Sequence, residues 1–157
     1  GIMHLVGNMY FLYVFGDNVE ERLGWRAFVA LVIGAHLAGM MAQGLWTPDP
    51  TVPAVGASAG ISGILAFYAI SFPRARLGFL FIWFFYPHWV YIPAALALVL
   101  YAGFQMLGVY LQLAGFGGVS YLGHAGGLVV GVAAALWYRY AARAERENEW
   151  QALQTSA

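Results

Sequence analysis

The chain has 157 residues, of which 62% are hydrophobic and 9% charged, and its formal net charge is zero. Because a soluble domain carries about 25% charged residues, this composition argues against a soluble enzyme, a disordered segment and a nucleic-acid-binding surface. The sequence contains no cysteine, which excludes disulfides and thiolate metal sites. The class that remains is an integral membrane protein.

The spacing of the charged residues predicts five membrane crossings. No charge lies between Arg26 and Asp49, between Asp49 and Arg74, or from Leu77 to Tyr138. One crossing takes about 20 residues, so the last of these stretches must cross twice with a turn between. In chain order, the predicted crossings lie near residues 4–15, 27–46, 58–72, 93–113 and 122–138.

These crossings predict an all-α fold, a polytopic helix bundle over residues 1–142 with a polar cytoplasmic tail at 143–157. The connectors are predicted as a charged turn at 16–24, a proline-rich loop at 47–50, a basic stop at 72–76 and a glycine loop at 115–118. The segment Leu77–Ile92 is rich in aromatic residues and interrupted by Pro87, so we predict an interfacial segment instead of a crossing.

The arginines predict the orientation, since the chain contains no lysine. They lie in the first and third connectors and after the last crossing: Arg22, Arg26, Arg74, Arg76, Arg139, Arg143 and Arg146. With five crossings these places lie on one side of the membrane, which the positive-inside rule makes cytoplasmic. We therefore expect a cytoplasmic C-terminus and a multi-pass protein of a bacterial inner membrane.

Four polar residues lie at one depth inside the predicted crossings. His4 and Asn8 are one helical turn apart in the first crossing, Ser58 opens the third, and His124 opens the last. All three crossings begin on the outer side, so these residues share the extracytoplasmic leaflet. Because polar groups within a membrane are costly, they are candidates for a functional site.

The chemistry of the four residues fits acyl transfer. A neutral histidine such as His124 activates a serine nucleophile such as Ser58. An asparagine amide, a second histidine and a backbone N–H at a helix start stabilise a developing oxyanion, which His4, Asn8 and Ser58 can provide. The acidic residues lie elsewhere in the chain, so the sequence predicts a Ser–His dyad and not a triad.

Small residues near the dyad predict close helix packing. Gly127 and Gly131 follow His124 at i+3 and i+7, and small residues surround Ser58. Such residues let two helix backbones approach each other in a membrane. A hydrogen bond of about 3 Å between a serine and a histidine on different helices requires this approach.

These motifs together resemble the rhomboid intramembrane serine proteases. They are His4-x-x-x-Asn8, the turn Gly16-Asp17-Asn18-Val19-Glu20, Gly56-Ala57-Ser58 and His124-x-x-Gly127-x-x-x-Gly131. The resemblance implies that Ser58 is the nucleophile, that His124 is the general base, and that His4, Asn8 and the Ser58 N–H form the oxyanion hole. It also implies transmembrane protein substrates in the lipid bilayer, with no cofactor, metal or nucleic acid.

The chain departs from the family's pattern in two places. The first helix of the family and the loop after it are missing in front of His4, so we expect a fragment. The family's Gly-x-Ser-Gly reads Gly56-Ala57-Ser58-Ala59, whereas a literal match occurs at Gly60-Ile61-Ser62-Gly63, so Ser62 is a rival nucleophile. Two other functions stay open: a non-catalytic relative that binds membrane helices, and a metal or haem protein using His4, His36 and His124.

Overall fold

Five helices and one β-hairpin make up the parts of the chain that the computed structural model describes, residues 1–46, 57–116 and 119–155. In chain order they are α1 (Ile2–Leu23), α2 (Trp25–Trp46), α3 (Ser58–Ser71), β1 (Arg76–Trp83), β2 (Tyr86–Pro93), α4 (Ala94–Leu113) and α5 (Tyr121–Thr155). The predicted helix bundle is confirmed. The predicted proline-rich loop at 47–50 and part of the glycine loop lie outside the described residues.

Among the described residues, three helices are long and apolar enough to cross a membrane, namely α2, α4 and α5. Helix α3 is apolar but has 14 residues, and at 1.5 Å per residue it is about 21 Å long against a hydrocarbon core of about 30 Å. The chain is therefore an integral membrane protein. The division into five crossings stays a prediction.

Helix α1 does not end where the sequence predicted. Its last turns run through the predicted charged turn at 16–24 and stop at Gly24, which has a φ of 78° and whose N–H donates to the Glu20 carbonyl at 2.7 Å. The charged residues of this stretch are compatible with a helix, and a residue with positive φ is needed before the chain can turn. Charge alone was therefore the wrong signal for the end of this helix.

Helix α5 continues without a break across the predicted boundary at residue 142, through the polar tail to Thr155. Two successive turns of α3 pack directly against this helix. A Cβ atom on Gly127 would collide with the carbonyl of Ala59, and one on Gly131 with the carbonyl of Gly63. The two backbones are thus in contact at both glycines.

Helix α3 is the central element of the bundle. Nine of its residues are buried, and it contacts α1, α2, α4 and α5. A Cβ atom on Gly63 would lie 2.6 Å from the Cβ of Ala35 in α2, so this side of α3 is also closely packed. The core below the first turns is filled by Phe15, Val19, Leu31, Ile64, Phe67 and Ala135.

The predicted interfacial segment forms an antiparallel hairpin between α3 and α4. Strands β1 and β2 pair from Arg76 with Pro93 to Trp83 with Tyr86, which leaves a two-residue turn. Both turn residues, Phe84 and Phe85, have positive φ, 46° and 67°. The aromatic composition predicts a segment at the membrane surface, but the same residues also favour β-strands, so composition alone does not predict the hairpin.

Candidate active site

One cavity of about 280 Å³ lies where α1, α3 and α5 begin. The four residues selected from the sequence, His4, Asn8, Ser58 and His124, all line it. The remaining lining comes from α1, α3 and α4: Met3, Gly7, Phe11, Ile61, Leu65, Tyr101 and Gln105. The cavity therefore combines a polar group at one end of the bundle with an apolar wall.

Helix α1 supplies His4 and Asn8 from successive turns. His4 is exposed and Asn8 is half-buried. Gly7 lies between them on the cavity lining, and the space around its Cβ position is open to 4 Å. Two hydrogen-bond donors thus line the cavity beside an open glycine surface.

Ser58 is the first residue of α3 and is half-buried. The Ile61 N–H donates to the Ala57 carbonyl at 3.0 Å, which is the first hydrogen bond of the helix. The N–H groups of the residues before Ile61 have no partner within the helix, as at every helix start. Ser58 therefore brings both a hydroxyl and a backbone donor to the cavity.

His124 lies in the first turn of α5 and is 9% exposed. Its Nδ1 atom is 3.0 Å from Oε1 of Gln105 on α4, a side chain that is itself 3% exposed. With the proton on Nδ1, the ring donates to Gln105 and keeps Nε2 as a free acceptor. Gln105 is not among the residues selected from the sequence, although it too is a polar residue within a predicted apolar crossing, which is the signal that selected His124.

The two serines of α3 differ in their surroundings. Ser62 is fully buried and does not line the cavity. Its hydroxyl donates to the Ser58 carbonyl at 2.9 Å, so it must accept the hydrogen bond from Tyr101 Oη at 2.8 Å. Within the described residues, the hydroxyl of Ser58 makes no hydrogen bond to His124. Catalytic hydrogen bonds are often long in the absence of substrate.

The methyl group of Ala59, which replaces the family's usual glycine, is directed away from the cavity. Ala59 is buried and does not line the cavity. A Cβ atom on Gly39 of α2 would lie 2.6 Å from the Ala59 Cβ. Gly39 therefore leaves room for this methyl group between α2 and α3.

A second polar cluster holds the start of α5 against α2 and α4. Oε1 of Gln43 accepts hydrogen bonds from Gln112 Nε2 at 2.9 Å and from Ser120 Oγ at 2.7 Å. Oε1 of Gln112 in turn accepts from the Leu122 N–H at 3.0 Å. These contacts fix the segment that leads into His124.

The histidines do not form a metal site in the part of the chain that the structure describes. His36 is half-buried and is not among the residues that line the cavity. No group of three or more histidine, cysteine or acidic side chains converges within the described ranges.

Comparison with known proteins gives one family. The family model "Rhomboid domain" matches residues 1–141. "Rhomboid protein 1, mitochondrial" of Saccharomyces cerevisiae is 28% identical in an alignment of 158 positions, gaps included, that covers 95% of this chain and 42% of that protein. "RHOMBOID-like protein 12, mitochondrial" of Arabidopsis thaliana is 29% identical in an alignment of 154 positions that covers 88% of this chain and 42% of that protein. No solved structure matches the chain significantly.

A bacterial protein matches a shorter part of the chain. "Rhomboid protease GluP" of Bacillus subtilis is 34% identical over 71 residues, which cover 45% of this chain and 14% of that protein. The chain thus spans less than half the length of these relatives. The two longer matches are mitochondrial by name, which conflicts with the expectation of a bacterial inner membrane.

Proposed function

The chain belongs to the rhomboid family, and we propose that it is an intramembrane serine protease that cleaves membrane proteins within or beside their transmembrane segments. The observation that carries this proposal is the shared cavity of His4, Asn8, Ser58 and His124. A serine, a histidine with a free acceptor nitrogen and several oxyanion donors are the groups that acyl transfer needs. No cofactor enters the reaction.

Ser58 is the nucleophile and His124 the general base. Ser58 Oγ attacks the carbonyl carbon of the substrate, and its proton passes to His124 Nε2. When the C–N bond breaks, His124 returns this proton to the leaving amine and Ser58 holds the acyl group as an ester. Water then attacks the ester, and His124 takes a proton from it. As the ester C–O bond breaks, His124 passes this proton to Ser58 Oγ, which releases the acid and restores the serine.

Three hydrogen-bond donors stabilise the negative charge that develops on the substrate oxygen: His4, the Asn8 amide and the Ser58 N–H. The position of Ser58 in the first turn of α3 supports this role, because the free N–H groups of a helix start favour a negative charge. The loss of one such donor costs about 10²–10³ in rate. Most of the rate enhancement is therefore assigned to donors that are oriented before the substrate binds.

Gln105 is a positioning residue for His124. By accepting the Nδ1 proton at 3.0 Å, its carbonyl oxygen selects the tautomer in which Nε2 can take the serine proton. Gln105 is neutral, so it orients the ring without adding a charge to the buried site. This role replaces the acidic third member that the sequence lacks at this depth.

The site lies in the outer leaflet in this proposal. His4, Ser58 and His124 are near the starts of α1, α3 and α5, whereas Arg22, at the end of α1, and the arginines of α5 lie toward the other ends of these helices. The positive-inside rule puts the arginine-bearing ends on the inner side of the membrane. Substrates therefore present their scissile bond near the outer surface.

Fluorophosphonate labelling of single variants tests the proposal. Ser58→Ala and His124→Ala should abolish labelling and cleavage of a transmembrane substrate, because the first removes the nucleophile and the second its base. Ser62→Ala is the matched control, since it removes a serine hydroxyl from the same helix, one turn away and outside the cavity. It should retain most of both activities.

The role of Gln105 is tested in the same assay. Gln105→Ala should reduce labelling, and Gln105→Glu should restore it, because a carboxylate also accepts the Nδ1 proton. If Ser62→Ala loses labelling while Ser58→Ala keeps it, Ser62 and not Ser58 is the nucleophile. An unlabelled parent chain with intact fold would instead favour a non-catalytic relative that binds membrane helices.

A further inference from the structure

A second polar cavity, of about 260 Å³, lies at the opposite end of the bundle from the candidate active site. Four of its lining residues are arginines, Arg22 from α1 and Arg139, Arg143 and Arg146 from α5. The rest of the lining is formed by Ile70, Ser71, Pro73, Tyr138 and Ala142. We call this the arginine pocket.

No acidic side chain lines the arginine pocket in the part of the chain that the structure describes. Within the described ranges, none of the four guanidinium groups forms an ion pair with a carboxylate. Arg139, Arg143 and Arg146 follow one another at i, i+4 and i+7, so they lie on one face of α5. Four like charges around one cavity repel each other unless an anion lies among them.

Arg22 is held in place by aromatic side chains. Its guanidinium carbon lies 4.9 Å from the centre of the Phe72 ring and 5.4 Å from the centre of the Tyr138 ring. Stacking on two rings restricts the side chain before any ligand binds. An anion that pairs with Arg22 therefore meets a group whose conformational freedom is already reduced.

Ser71 adds an unused hydrogen-bonding group. Its Oγ atom is shielded from solvent and has no hydrogen-bond partner in the described part of the chain. A buried hydroxyl without a partner destabilises the folded state. Ser71 lines the same cavity as the four arginines, so rotation of its side chain about the Cα–Cβ bond would turn the shielded hydroxyl toward a ligand with acceptor oxygens.

We propose that the arginine pocket binds a phosphate group, supplied by the headgroup of an anionic phospholipid. Guanidinium groups pair with phosphate oxygens through two parallel hydrogen bonds, and the Ser71 hydroxyl donates to a further oxygen. The pocket lies at the arginine-bearing end of the bundle, where the positive-inside rule places the membrane surface. Each arginine near an anionic surface adds to such attraction.

Thermal unfolding of the full chain in lipid nanodiscs tests this site. Phosphatidylglycerol added to phosphatidylcholine should raise the unfolding midpoint. Inorganic phosphate added to nanodiscs of phosphatidylcholine alone identifies the other source: a rise there as large as with phosphatidylglycerol assigns the pocket to a soluble phosphate, and no rise assigns it to the lipid. A midpoint that responds to neither probe overturns the proposal.

Two double variants separate the pocket from general charge attraction. Arg139→Gln with Arg143→Gln should lose more than half of the midpoint shift caused by phosphatidylglycerol. Arg26→Gln with Arg74→Gln removes the same charge from arginines that do not line the pocket, so it should keep the shift. Equal losses in both double variants would show diffuse attraction and no site.

Ser71→Ala provides a variant that keeps every charge. Without anionic lipid its midpoint should equal or exceed that of the parent, because an unpartnered hydroxyl is removed. With phosphatidylglycerol its midpoint shift should be smaller than that of the parent. If Ser71→Ala and the Arg139→Gln, Arg143→Gln double variant both keep the full midpoint shift with phosphatidylglycerol, the arginine pocket is not the binding site.

Discussion

The α3–α5 pair and the β1–β2 hairpin differ in how they are held. In α3–α5, backbones touch at Gly127 and Gly131, and Phe67 and Ala135 are fully buried. In the hairpin, most large side chains face outward, and Phe85 is 97% exposed. The first region is positioned by the protein itself, whereas the second presents apolar side chains to its surroundings. Changes in α3–α5 should therefore affect the site, and changes in the hairpin tip should not.

The largest effect is expected from removing one oxyanion donor from the cavity of the candidate active site. Asn8→Ala should slow substrate cleavage by roughly 10²–10³-fold, the usual loss for one such donor. Labelling by a fluorophosphonate should persist, because Ser58 and His124 are unchanged. Cleavage of a transmembrane substrate on a gel, with single-turnover rates, measures the effect.

Asn18→Ala is the control for this experiment. Asn18 lies in the same helix, is exposed, and makes one long hydrogen bond of 3.4 Å to the Val14 carbonyl. Removing this side chain should leave the cleavage rate within about twofold of the parent's rate. Surface substitutions rarely change the free energy of unfolding by more than about 0.5 kcal/mol, so the fold should stay intact. Equal rates for Asn8→Ala and the parent would remove Asn8 from the oxyanion hole.

Much of the candidate site could be predicted from the sequence, because intramembrane polar residues are few and helical spacing fixes their relative depth. His4, Asn8, Ser58 and His124 were selected in this way, and all four line one cavity. Gln105 was missed, because no nearby motif in its own helix marked it and its partner is 19 residues away in the chain. Contacts between helices of this kind depend on rotation about each helix axis, which hydropathy does not determine.

The hairpin was missed for a different reason. Its residues have both high β-propensity and the composition of an aromatic belt, so their pattern fits two environments equally. The turn residues Phe84 and Phe85 carry no turn signal, since a turn with two positive φ values favours Asn-Gly. The charged residues after Gly16 predict a turn that the structure does not have, because charged residues also fit a helix, and α1 ends only at Gly24.

A smaller effect is expected from a single methyl group between α3 and α5. Gly127→Ala and Gly131→Ala should each lower the free energy of unfolding by about 1–3 kcal/mol, because the new Cβ meets a backbone carbonyl that cannot move freely. Denaturation in mixed micelles with increasing SDS measures this change. Both variants should also lose cleavage, since Ser58 and His124 move apart.

Gly103→Ala is the matched control, as a helical glycine whose Cβ position has no described atom within 4 Å apart from its own stretch of helix backbone. It should leave stability equal or slightly higher, because alanine is the better helix former. If Gly131→Ala were as stable as Gly103→Ala, the two backbones would not be in contact, and the contrast with the hairpin would fail.

The smallest effect is expected at the hairpin tip. Replacing Phe84 and Phe85 by Asn-Gly should slow amide exchange in β1 and β2, because Asn-Gly is the favoured pair for a turn whose two residues have positive φ. Fluorophosphonate labelling should not change, since neither residue lines the active-site cavity. Replacing both residues by alanine removes the same rings but keeps the strained turn, so it should not slow exchange. Reduced labelling in both variants would show that the aromatic tip supports the active site, and the two regions would then act as one unit.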